Sequence, residues 1–257
     1  MSPRLAGLQL ATGTLTAIPA GVPRRIDQST RRAAMLWAPV AVLPLGALVT
    51  LIGWLGHVLG MPASLIAFFA LGALIMGNRA LHVDGLADTV DGLAAGYDRQ
   101  HSLGIMRSGD AGPAGVAAIV IVLGIQAAAL STLFDVPWGP LAAGVAVCLS
   151  RVALTMTCCG GVPSARDCGL GADFAGCVPK AAAAFAWLLC TGIYACVFWI
   201  SDWPWIAAAV GMCLASLAVG ILIRRVTARI GGVAGDTFGA AIEVTFTVLL
   251  ASAAIAG

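Results

Sequence analysis

Charge is what this chain has least of. Asp, Glu, Lys and Arg make up 10% of its 257 residues, where soluble domains carry about 25%. Tyr occurs twice, and Glu only once, at position 243. With 60% of the residues hydrophobic, an unstructured chain is excluded, because disorder needs low hydrophobicity and high charge. The 32 glycines follow no three-residue period, which excludes a collagen-like chain. A net charge of +2, with no basic tract interleaved with aromatics, points away from nucleic acid. A polytopic membrane protein remains.

Seven apolar stretches approach or reach the ~20 residues that a helix needs to cross a bilayer core. They lie near Ala33–Gly56, Met61–Gly77, Pro113–Phe134, Trp138–Cys158, Ala181–Ile200, Trp203–Ile223 and Phe238–Ala256, the second being the shortest. Their Ala, Leu, Val, Ile and Gly content suits packed helices and lacks the alternation of a barrel. The fold class expected is therefore an all-α polytopic membrane domain over residues 1–257. Pro39 and Pro44 predict a kink or break in the first span. Trp54, Trp138, Trp199, Trp203 and Trp205 fall near span ends, where interfacial anchors belong.

The few charges orient the chain. All Lys and Arg except Arg151 fall in alternate loops: Arg4, Arg24, Arg25, Arg31 and Arg32, then Arg79, Arg99 and Arg107, then Arg166 and Lys180, then Arg224, Arg225 and Arg229. The positive-inside rule puts the N-terminus in the cytoplasm and the C-terminus outside, as in a multi-pass protein of the cell membrane. Leu5–Ala20 has the look of a cleavable signal peptide, but cleavage would place the Arg24–Arg32 cluster outside, against every other loop. Residues 1–32 are thus expected to be an interfacial or re-entrant segment on the cytoplasmic leaflet.

Chemistry concentrates in three places. Residues 78–112 form an expected cytoplasmic Asp-rich loop. In it Asp84, Asp88 and Asp91 stand at i, i+4 and i+7, within roughly 60° of one another on a helix. Like charges so placed repel unless a cation sits among them, and hard oxygen ligands without Cys or His suit Mg2+ shared with a phosphate. The bland reading is an Asp-rich first helical turn. Next, the Gly-rich stretch around Arg107, Asp110 and Gly112 could present N–H groups to an anion, or be a tight turn with Pro113 opening a helix. Third, residues 224–243 hold Gly235, Asp236 and Glu243, and their Gly231–Asp236 segment looks built for backbone approach to a phosphate. Glu243 lies inside an apolar span, where an unpaired charge costs about 2.5 kcal/mol or more. Its partner is expected to be Arg151, the acidic cluster or a proton. All three places fall on the cytoplasmic side, so a single active site there is expected.

The cysteines add little by this reading. Cys148, Cys190, Cys196 and Cys213 are read as packing residues in spans. Cys158, Cys159, Cys168 and Cys177 lack the C-x2-C spacing of a zinc site, and a cytoplasmic setting argues against disulfides. His57 and His101 show no ligand spacing.

The block from His82 to Gly92 resembles the H-x-D-G-x-A-D-x-x-D-G motif of the cobalamin synthase family, the adenosylcobinamide-GDP ribazoletransferases. Met106-Arg107 with the Gly-rich turn to Gly115, Ser150-Arg151, Gly169-Leu170-Gly171 and Gly231–Glu243 resemble further family blocks in the same order. Ser108 stands where many members have Asp, with Asp110 two positions later, and Ala234 stands where Thr is common.

The resemblance implies an Mg2+-dependent membrane transferase that joins α-ribazole or its 5′-phosphate to adenosylcobinamide-GDP and releases GMP. On it, Asp84, Asp88, Asp91, Asp110, Asp236 and Glu243 are the catalytic candidates, the first three as metal ligands. His82, Arg107, Gly112, Arg151 and Gly235 are the substrate contacts. The general base stays unassigned among the acids, and homo-oligomerisation stays open. Two other readings are weighed. Against a CDP-alcohol phosphotransferase motif, the alanine here comes one residue early, and Asp88 follows it instead of Arg. A cation-coupled transporter would spread its acids near the midplane between repeats, and no repeat is evident.

Overall fold

The computed structural model describes residues 2–96 and 98–257; Met1, and Tyr97 within the expected segment 78–112, lie outside the described residues. Helices dominate, in line with the all-α expectation. The N-terminal stretch is a helix, α1 (Pro3–Leu15), opened by Ser2 as cap with Pro3 at its start. It packs through Ala6, Gly7 and Ala11 against α2 (Gln28–Ala41). Asp27 caps α2 by accepting from the Thr30 N–H at 2.8 Å and the Ser29 hydroxyl at 2.7 Å. The Asp27 bond to Ser29, then those to Thr30, hold its carboxyl down at about 2. The N-terminal segment, drawn from the sequence as residues 1–32, therefore ends nearer residue 27, where this cap starts the first span.

The chain breaks once at Val42 and continues as α3 (Leu43–Val58), with Pro39 inside α2 and Pro44 at the start of α3. The two prolines break the span as expected, since neither can sustain an unbroken helical ladder. Next comes α4 (Ala63–Gly77), whose 15 residues cover ~22 Å of a ~30 Å core. At Arg79 and Ala80 the backbone turns left-handed, with φ of 58° and 57°. There the path bends by 87° into α5 (Leu81–Ala94).

Residues 78–112 are thus a sharp turn and two helices, not a loop. The second of these is α6 (Arg99–Ser108), capped by Asp98 through the N–H groups of Gln100 and His101 and closed by a left-handed Gly109. The amphipathic pattern that lines up the aspartates is what makes the segment helical.

Next come α7 (Pro113–Phe134) and α8 (Gly139–Leu149), a 3-10 turn at Ser150–Val152 into α9 (Ala153–Thr157), the short α10 (Leu170–Phe174), and then α11 (Lys180–Ile200), α12 (Trp205–Ile230) and α13 (Gly235–Ala256). Among the described residues six helical segments are long and apolar enough to cross a membrane, and a seventh exists if α4 and α5 count as one bent span. The segment of α8 and α9 is the most buried of them, so it forms the centre of the bundle. Apolar side chains such as Phe68, Phe69, Leu188 and Trp199 face outward, as a bilayer requires. Cys148 and Cys190 pack inside as expected, whereas Cys196 and Cys213 are exposed on the outward sides of α11 and α12.

The contact that positions the later chemistry is α5 against α13. Both helices present glycine where they cross: a methyl group on Gly85 would stand 2.6 Å from the Asp236 carbonyl, and one on Gly239 would stand 2.9 Å from the His82 carbonyl. Backbone atoms cannot swing aside, so Gly85→Ala is expected to lower stability by about 1–3 kcal/mol through overpacking. Gly104→Ala, on α6 with open space around it, is expected to be neutral or stabilising by up to ~1 kcal/mol. Thermal melts of the two variants in detergent check this, and equal melting temperatures would contradict the close crossing.

Candidate active site

The close crossing brings the N-terminal turn of α13 over the polar face of α5. Asp84 and Asp88 come from α5 and Asp236 from the first turn of α13. Burial together with the nearby charges of Asp84, Asp236 and Asp91 lifts the Asp88 carboxyl to about 6, against a weaker pull from Arg166. Arg166 reaches Asp236, with Nη2 at 3.7 Å from Oδ2. It comes from the connection between α9 and α11, and its guanidinium also donates to the Leu103 carbonyl at 3.5 Å. The sequence marked Arg166 only as a loop charge, and no spacing tied it to the acids. A cavity of about 90 Å³, walled by apolar side chains including Leu15, Met35 and Phe238, has Asp84, Asp236 and His82 in its lining.

Asp91 is turned to another task. It is buried, and both its oxygens accept backbone N–H groups, Oδ2 from Gly112 at 2.7 Å and Oδ1 from Gly115 at 2.8 Å. These are the donors left over at the start of α7. The Gly-rich turn therefore does hold an anion, but that anion is the protein's own carboxylate. Arg107 and Asp110 are exposed, and the Asp110 N–H bonds locally to the Ser108 hydroxyl at 3.4 Å.

The Gly231–Asp236 segment departs from expectation in the same way. The N–H groups of Gly231, Val233 and Ala234 go to Thr227 O, Pro163 O and Thr237 Oγ1. Val233 O in turn accepts from Ala165. The segment is built to receive the α9–α11 connection, so these three N–H groups are not open to a phosphate. Gly235 begins α13 beside Leu170.

Behind the aspartates lies a buried polar layer. Glu243 Oε2 accepts from Gln126 Nε2 of α7 at 2.8 Å, and the same amide donates to Thr247 Oγ1 at 3.0 Å. Arg151 is 1% exposed. Its guanidinium donates to Val147 O at 2.6 Å and Ser150 Oγ at 3.0 Å, and Nη2 lies 3.4 Å from His82 Nδ1. Asn78 Nδ2 lies 3.3 Å from the same nitrogen. With two donors aimed at it, Nδ1 is the acceptor and the proton sits on Nε2.

Glu243 Oε1 is 3.9 Å from that imidazole, and among the described residues Glu243 makes no ion pair with Arg151. The chief partner of Glu243 is Gln126, which the sequence reading missed. A lone amide in the apolar run of α7 was the available signal.

Mg2+ can be tested against these groups. Among the described residues no three His, Cys, Asp or Glu side chains already enclose a common point. Mg2+, however, is usually held by one or two carboxylates together with substrate phosphates. Asp84 and Asp236, at one cavity and each close enough to push the Asp88 carboxyl up, fit that mode.

The chain is similar to proteins of known assignment over almost its whole length. The family model described as cobalamin-5-phosphate synthase matches residues 7–254. The adenosylcobinamide-GDP ribazoletransferase of a Nocardioides species is 49% identical over 242 residues, 94% of this chain and 95% of the relative. The protein of that name from Bradyrhizobium diazoefficiens is 35% identical over 97% of this chain and 94% of its own. That from Frankia casuarinae is 34% identical over 92% and 90%. No solved structure matches.

The Gln126 bond yields a prediction. Gln126→Leu strips a buried carboxylate of its side-chain donor, which costs about 1–3 kcal/mol. The variant should melt early in detergent, and adding Glu243→Gln should recover part of the loss. A Gln126→Leu protein that melts like the parent would contradict the pairing.

Proposed function

The chain belongs to the cobalamin-5-phosphate synthase family, and on that premise we propose that it joins α-ribazole or its 5′-phosphate to adenosylcobinamide-GDP with release of GMP. The observation that carries this reading is the gathering of Asp84, Asp88 and Asp236 at one end of a membrane bundle, beside Arg166 and a cavity. A pyrophosphate-linked donor needs that chemistry, because charge builds on the phosphate under attack and on the departing nucleotide. Acids collected at one edge, and not between repeats at the middle, also favour the transferase over a cation-coupled transporter.

In the mechanism we propose, Asp84 and Asp236 are the residues that would hold Mg2+. The ion, when bound, neutralises phosphate charge and stabilises leaving GMP. Asp88, whose carboxyl sits near neutrality, accepts the proton of the attacking ribose hydroxyl as its oxygen bonds to phosphorus. The bond from that phosphorus to GMP breaks in the same displacement. Arg166, next to Asp236, offers two N–H donors to a phosphate. Asp91 fixes the start of α7, and His82, Arg151 and Glu243 brace the helices behind the site. The apolar-walled cavity receives the ring system of one substrate. The alternating basic loops support a cell-membrane protein with this site on the cytoplasmic side.

Purified protein in liposomes, given Mg2+, adenosylcobinamide-GDP and α-ribazole, is expected to release GMP as the corrinoid is converted. Absence of GMP, or CMP release from a CDP-alcohol instead, would overturn the reading. Asp88→Asn separates function from stability. Its raised carboxyl means that the folded state binds the extra proton. Stability contributed by this group therefore falls as pH rises from about 4 to about 6, and the repulsion is fully present above that. In the metal-free protein at pH 8, Asp88→Asn should melt higher than the parent while transfer drops about 10²–10⁴-fold. Lower stability together with full activity would remove Asp88 from the site.

A further inference from the structure

The connection between α9 and α11 does more than supply Arg166. Over residues 158–177 it carries α10, places Asp173 3.2 Å from Arg31 of α2, and lays Pro163, Ser164 and Ala165 along Val233 just ahead of α13. Its two ends meet. Cys159 pairs with Val178 in a parallel bridge, with Val178 N–H donating to Cys158 O at 3.0 Å and Gly160 N–H to Val178 O at 2.8 Å. In that register Cys158 stands beside Cys177. Neighbouring parallel segments lie about 4.8 Å apart, within the roughly 4.4–6.8 Å that a disulfide spans between Cα atoms.

The two thiols lie near enough for each to shift the other's protonation. Both are buried, and Arg32 anchors this end of the connection by donating to the Cys177 carbonyl at 3.3 Å. Cys159 is half-buried, and Cys168 is exposed on the far part of the connection. The neighbouring Cys158 thiol and the guanidinium groups of Arg32 and Arg31 favour the Cys177 thiolate, while burial pushes the Cys158 thiol up. One member of the pair is thus the nucleophile and the other the resolving thiol.

We propose that Cys158 and Cys177 form an oxidisable dithiol, closed to a disulfide by a peroxide-class oxidant, that staples the Arg166-bearing connection over the carboxylate cluster. The Cys177 thiolate attacks the peroxide O–O bond, giving a sulfenic acid and, after protonation, one water. The Cys158 sulfur then displaces the sulfenic hydroxyl, which leaves as a second water as the S–S bond forms. Two electrons pass from the sulfurs to the peroxide, so two thiols and one hydrogen peroxide give one disulfide and two waters. Closure ties off the 20-residue connection without moving its backbone, because its ends are already in register.

The test uses the full-length protein in detergent or membranes, treated with hydrogen peroxide and analysed by differential alkylation and peptide mass spectrometry. The expected result is a Cys158–Cys177 linked peptide, reversible by dithiothreitol. Peroxide should also raise the melting temperature of the parent but not of Cys177→Ser or Cys158→Ser, while Cys168→Ser behaves as the parent. Persisting free thiols at both positions, or a link from either cysteine to Cys159 or Cys168 instead, would overturn the proposal. Since the primary readout is on the unmutated chain, a poorly folding serine variant does not blunt it.

Discussion

Repulsion among carboxylates at the crossing of α5 and α13 is the constraint on which the rest of the arrangement depends. Burial, joined by the charges of Asp84, Asp236 and Asp91, raises Asp88 to about 6, and an arrangement that costly persists only if packing imposes it. The imposition is visible. Gly85 and Gly239 let the two backbones approach, the left-handed pair Arg79 and Ala80 turns α5 across the end of α4, and Arg79 then reaches back to the Gly13 and Thr14 carbonyls at the end of α1. The N-terminal helix, the bend and the crossing form one mechanical unit. Its product is a concentration of negative charge that a cation and a phosphate would relieve together.

A second layer keeps this unit in register inside apolar surroundings. Glu243 and Arg151 are both nearly inaccessible, yet they do not neutralise each other directly. Each finds partners locally, Glu243 in Gln126 and Arg151 in the carbonyl of Val147 and the hydroxyl of Ser150. His82 sits between them with Nδ1 as acceptor, and among the described residues its Nε2 has no hydrogen-bond partner. Polar groups placed so deeply are held by several helices at once, which couples α5, α7, α8 and α13. The layer explains how a site at the bundle edge gains a rigid floor without a water-filled channel.

Much of this was legible in the sequence. The apolar segments, the proline break in the first span, and the shared face of Asp84 and Asp88 follow from composition and helical period alone. Where the reading stopped short, the cause is the same each time: periodicity tells which way a side chain points, not what meets it there. Asp91 shares the aspartate face by period, yet the start of α7 lies against it and claims both its oxygens. The glycines at 231 and 232 suggested an open phosphate cradle, but a distant segment at Pro163 and Ala165 fills it. Arg166 reaches Asp236 across about 70 positions of chain, a pairing that no local spacing encodes. Gln126 was legible in principle, because an amide in an apolar span needs a polar partner.

The central claim is that the working carboxylates come from two helices, Asp84 and Asp88 from one and Asp236 from the other, while Asp91 serves the fold. The most direct measurement is the Mg2+ dependence of GMP release, taken alongside thermal melts, for Asp236→Asn and Asp91→Asn. The account predicts that Asp236→Asn melts like the parent but needs far more Mg2+ or loses transfer altogether. It predicts that Asp91→Asn melts early and, where folded, keeps the parent's Mg2+ requirement. The reverse pattern, with Asp91→Asn stable but starved of Mg2+ and Asp236→Asn active at ordinary Mg2+, would contradict it.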